Sequence, residues 1–177
     1  MHLVLGSQRH DLGRTVVIAR VHRPEGPVPG ADALWADQVD GVALGSFPVP
    51  VGADAAGAAD VHRLADAGAA AVGLMAGDAD GRAAAAERRL TVLVPFADLG
   101  AAAGSLPSER VLVSHQAPVD GGVACFSPPG DGPAAWGAAT RALADGVRVL
   151  RGRDARSLRR VATVAEHLVA ARQESRP

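Results

Sequence analysis

Short runs of apolar, often β-branched residues recur along the chain, separated by alanine-rich stretches with helical spacing. The runs predict strands at Val16 to Val21, Val42 to Leu44, Ala71 to Met75, Thr91 to Phe96, Arg110 to His115, Val123 to Phe126 and Val147 to Leu150. Runs that stay apolar instead of alternating suit strands covered on both faces, as in a parallel sheet. Helices are expected between them at Asp54 to Asp66, Asp80 to Arg89, Pro133 to Asp145 and Asp154 to Arg172. Such alternation is the mark of an α/β fold.

The last helix carries the clearest signal. Asp154 suits an N-cap, and Leu158, Val161, Ala165, Leu168 and Val169 share one face. Arg156, Arg159, Arg160 and Glu166 then fall on the solvated side, and Pro177 closes the chain. At the other end His2 to Leu5 and Thr15 to Val21 flank Gly6 and Asp11-Leu12-Gly13, which reads as a hairpin leading into the first core strand. One spacing departs from the pattern. Only Gln116 to Gly122 separate His115 from Val123, and a parallel crossover needs roughly ten to twelve residues. Either a helix is missing there or the two strands run antiparallel. An eight-unit barrel typically takes about 200 residues or more, so the chain reads as one βα unit short.

With 177 residues, one domain over 1–177 is the simplest organisation. All 18 basic residues are arginine, and the chain has neither lysine nor asparagine. A formal charge of -1 argues against a nucleic-acid protein, which needs a basic stripe to neutralise phosphates. A single cysteine, Cys125, has no partner for an internal disulfide, which fits a reducing compartment. The apolar run at Leu3 to Leu5 is too short for a signal peptide, and no run is long enough for a membrane span. A cytoplasmic protein with no membrane or nucleic-acid partner is expected.

Read in order, the segments resemble the dihydropteroate synthase (pterin-binding) family over nearly the whole chain. His2 to Gly6 through Asp11 to Val17 is similar to that family's N-terminal hairpin and first barrel strand. Val21-His22-Arg23-Pro24-Glu25 stands where the family has Asn-Val-Thr-Pro-Asp. Val42 to Ser46, then Pro50 to Asp54, resembles its second strand and Gly-rich loop. Ala138 to Arg151, leading into Gly152-Arg153-Asp154, resembles the last helix–strand pair, which ends in Arg-Val-His-Asp in the family. The resemblance implies a reduced TIM-like (β/α) barrel with about seven strands and an N-terminal β-hairpin.

It also implies what is missing. The family's first-strand Asn binds magnesium, and Val21 at that position offers no ligand. The Thr-Arg pair of the second loop becomes Val49-Pro50, and the second-strand Asp becomes Ala43. Asp78 and Asp98 lie near the pterin-gripping segments but out of register, and Ser127-Pro128-Pro129 replaces Ser-Arg-Lys. Arg151 is retained, while Arg153 stands for the phosphate-binding His. No cofactor is therefore expected.

Arg151 and Arg153, two apart on a strand, point the same way and could clamp a phosphate at the barrel mouth. A salt-bridged pair near Asp154 is the alternative. His22, Arg23, His115, Ser127 and Asp98 are further candidates for the mouth, against ordinary loop polarity. A zinc site from His22, His115 and Cys125 lacks any short-spaced ligand pair. Ser114-His115 lacks the nucleophile-elbow pattern. Cys125, between Ala124 and Phe126, reads as an inert buried thiol. Gly45-Ser46 and Gly77 to Gly81 read as turns, the latter with Asp80 as N-cap.

These readings favour a degenerate, non-catalytic dihydropteroate synthase homologue, acting through a partner or a retained phosphate-ligand site. The alternative is a transferase of that type, acting on a phosphorylated, pterin-like small molecule in folate metabolism. An incomplete barrel would expose a sheet edge, so a homodimer or a complex with a larger dihydropteroate synthase homologue is expected.

Overall fold

A computed structural model describes the backbone of residues 1–174 and the side chains through residue 171; Pro177 lies outside them. Two strands, β1 (His2–Leu5) and β2 (Gln8–Asp11), form an antiparallel hairpin. Eight more close into a parallel barrel: β3 (Val16–Val21), β4 (Ala33–Ala36), β5 (Val51–Ala55), β6 (Ala71–Leu74), β7 (Thr91–Pro95), β8 (Val111–Ser114), β9 (Val123–Phe126) and β10 (Val149–Gly152). β10 pairs with β3 to complete the ring. The chain is a TIM-like α/β barrel with an N-terminal hairpin.

The barrel has eight strands, not about seven. Val42 to Leu44 does not form a strand; it runs into a 3-10 turn, Leu44–Ser46. β4 and β5 flank that segment and take its place. The short link between β8 and β9 resolves the same way: the strands are parallel, so a helix is absent and no strand is. No sheet edge is left in the barrel, which removes the reason given for self-association.

The helical coat is incomplete. α1 (Ala58–Asp66), α2 (Ala79–Glu87) and the short α3 (Leu99–Ala103) follow β5, β6 and β7. α4 (Pro133–Ala144) and α5 (Ala155–Glu174) follow β9 and β10. The connections after β3, β4 and β8 contain no α-helix. Apolar loop residues do the covering instead: Val28, Val39, Val42, Phe47, Val49 and Val119 pack against the outer core. This is how about 20 residues per strand can enclose a barrel that usually takes more.

Two apolar layers result. Alternate strand residues such as Val17, Leu34, Val72, Val92 and Val113 face the helices and loops. Ile18, Trp35, Leu93, Leu112, Cys125 and Val149 fill the bore together with Leu3, Leu5 and Leu12, so the hairpin plugs the N-terminal end. At that end Asp32 accepts hydrogen bonds from Arg14 (3.1 Å), from the Val17 N–H (2.8 Å) and from Arg159 of α5. Gly68 is required for close approach. Its φ is +88°, and a Cβ would fall 2.5 Å from the Gly45 nitrogen. Among the described residues no helix is long and apolar enough to cross a membrane.

Candidate functional site at the barrel mouth

Strand periodicity decides which residues reach the mouth. On β3, Ile18 lies in the bore, so Arg20 two residues on faces the same way. By the same step Trp35 leads to Asp37, Gly52 to Asp54, Cys125 to Ser127, and Val149 to Arg151 and Arg153.

Trp35 is the floor. Its ring is buried, and it lies against β5 and β6, where only glycine leaves room. A Cβ on Gly52 would sit 2.8 Å from the ring, and one on Gly73 would sit 2.9 Å from the ring and 2.2 Å from Asp54 Oδ1. The indole N–H donates to Asp54 Oδ1 at 3.1 Å. The Arg151 guanidinium carbon lies 5.1 Å from the centre of the Trp35 ring, a cation–π contact. Arg151 Nε also donates to Ser127 Oγ at 3.1 Å.

Above this floor, Arg20, Ser127, Gly130, Asp131, Arg151 and Arg153 line an open cavity of about 210 Å3. Arg20 Nε donates to Asp37 Oδ1 at 2.9 Å; both side chains are substantially exposed, so the pair contributes about 1 kcal/mol at most. Arg153 is exposed and has no ion-pair partner among the described residues. The salt-bridge alternative for the arginine pair is not what forms, because Asp154 instead caps α5 by accepting from the Ser157 N–H at 3.0 Å. That bond, with the Ser157 hydroxyl, holds the Asp154 carboxyl below its ordinary pKa. Directly beneath, burial pushes the Cys125 thiol up to about 11, with Arg151 pulling weakly the other way.

Arg151, Arg153 and Ser127 lie together on the wall of this cavity. The other candidates do not join them. His22 and Arg23 are exposed on the loop after β3 and line no part of this cavity. His115 stacks on Phe96 at the end of the adjacent strand, with ring centres 4.4 Å apart. Asp98 accepts from the Gly77 N–H at 3.0 Å and lies 3.9 Å from Arg82, tying the loops after β6 and β7 together. Arg20, Trp35 and Asp54 are the residues that motif reading passes over. Arg20 was accessible from alternation alone, two residues after a core isoleucine.

The magnesium position does not fit a metal. Val21 packs against the outer core, and its inward neighbour is the cation Arg20. Among the described residues no three His, Cys, Asp or Glu side chains group to hold a metal, zinc included.

Fold and mouth define a complete α/β barrel with a cationic cavity beside its seventh and eighth strands. The fold is that of the dihydropteroate synthases. A Yersinia pestis dihydropteroate synthase with a pterine-sulfa conjugate matches at TM-score 0.73 and 15% identity, covering 96% of this chain and 100% of that chain. A Thermus thermophilus dihydropteroate synthase matches at TM-score 0.75 and 17% identity, over 96% and 99%. The Vibrio fischeri enzyme matches at TM-score 0.75 and 11% identity, over 100% and 99%. No family model and no curated protein matches the chain.

Proposed function

We propose that the protein is a degenerate dihydropteroate synthase homologue that binds a small phosphorylated or diphosphate-bearing molecule without turning it over. The observation that carries this reading is the cavity in which Arg20, Arg151, Arg153 and Ser127 meet. α/β barrels frequently hold phosphate at the loops after their seventh and eighth strands, here β9 and β10. Two guanidinium groups, one from β10 and one just after its end, suit bidentate contact with phosphate oxygens. Asp131 on the same wall favours a compact anion over an extended polyanion.

Loss of synthesis follows from the same residues. Val21 cannot bring magnesium to a departing diphosphate. A ring entering the bore would have to displace Trp35 and break its bond to Asp54. Each polar contact left unmade on a buried ring edge costs about 1–3 kcal/mol. The occupant of the mouth, passed to or sensed by a protein partner, then carries the function.

Calorimetry with inorganic diphosphate tests the reading, alone and with p-aminobenzoate and a pterin. Diphosphate at 100 times its dissociation constant should add about 2.7 kcal/mol of stability. Arg151→Ala and Arg153→Ala should each weaken binding about tenfold, about 1.4 kcal/mol. Absence of any anion binding overturns the site. Formation of dihydropteroate from the two family substrates overturns the loss of catalysis and favours the transferase alternative.

A further inference from the structure

The larger cavity lies at the other end of the molecule. About 350 Å3 opens where the end of the hairpin, the start of β3, α4 and α5 meet, lined among others by Leu12, Thr15, Leu143, Arg148, Glu166 and Val169. That volume is at the lower end of the range for small-molecule sites, about 300–1,000 Å3.

Two charged groups on its wall have unused bonding capacity, while Thr15, 1% exposed, is held behind them with its N–H bonded by Glu166 and its C=O by Arg159. Arg148 Nη1 donates to the carbonyls of Leu143 and Val147, which leaves its remaining N–H groups without such bonds. Glu166 uses one carboxylate oxygen on the Thr15 N–H. Arg148 and Glu166 face one cavity yet form no ion pair with each other or with any described residue.

We propose that this cavity is a second ligand site and that it takes a free apolar α-amino acid. The Arg148 guanidinium receives the carboxylate and Glu166 receives the ammonium group. Leu12, Leu143 and Val169 receive the side chain. An anion alone would meet Glu166, and a cation alone would meet Arg148, so only a molecule carrying both charges satisfies both walls. The site is independent of the arginines at the mouth.

The test is titration of the full chain with L-leucine, followed by calorimetry and thermal unfolding, alongside 3-methylbutylamine and 4-methylpentanoate. Leucine should bind and raise the melting temperature, with the amine and the acid at least about tenfold weaker. Arg148→Met keeps the apolar stem and removes the guanidinium; it should weaken leucine about tenfold while diphosphate binding at the mouth is unchanged. Glu166→Gln should reduce leucine binding toward that of 4-methylpentanoate, and it serves if the Arg148 variant does not fold. No leucine binding at millimolar concentration overturns the proposal. So does equal binding of the acid, or leucine affinity that both variants leave intact.

Discussion

At the N-terminal end of the bore, the Asp32 carboxylate is consumed within the protein: it is held by Arg14, Arg159 and a backbone N–H, and is only 12% exposed. Apolar hairpin residues close the bore beside it. At the C-terminal end Arg153 has no ion-pair partner among the described residues, and Arg20 is held only by an exposed carboxylate. The bore is therefore closed by the hairpin at one end and kept open to a ligand at the other. Loop length follows this division, since the loops that replace helices contribute apolar side chains to the outer core.

The largest expected effect is at the seam between the two ends. Trp35→Ala should cost about 4 kcal/mol in urea unfolding and also weaken anion binding, because the ring both fills the bore and supports Arg151. Asp32→Ala should cost about 3 kcal/mol by removing the carboxylate that Arg14, Arg159 and the Val17 N–H share, yet leave diphosphate affinity unchanged. A matching loss of affinity there would break the separation of the two ends.

Cys125 gives a smaller, pH-dependent effect. Its folded pKa is raised to about 11 from 9.0, so the folded chain retains a proton that the unfolded chain gives up. The stabilising contribution is complete below pH 9 and is lost as pH rises toward 11, on the order of 2 kcal/mol. Urea midpoints at pH 8 and pH 10.5 should diverge in the parent and converge in Cys125→Ala.

The sequence shows most of the barrel wherever strands are apolar on both faces. It conceals β4 and β5 for a physical reason. Trp35 fills the bore, so the facing positions on β5 and β6 must be Gly52 and Gly73, and Asp54 is placed to accept from the indole. Val-Gly-Ala-Asp-Ala then carries no strand signature, and Asp54 reads as a helix start; α1 begins four residues later, at Ala58. At the site, the Arg151 and Arg153 pair was legible because alternation places both on one face. His115 and Asp98 were legible as residues at strand ends, but which way they turn depends on Phe96 and Gly77, which no spacing rule reveals.

Ring closure has a consequence for the behaviour of the chain in concentrated solution. Open ladders template polymerisation, and lysine is a common guard against it. This chain has no lysine, yet its eight barrel strands offer no free rim to an incoming copy. The ladder that does stay open, the hairpin, carries Gln8, Arg9 and Asp11 on its outer strand. Protection against fibril growth is thus supplied by geometry where side-chain chemistry does not provide it.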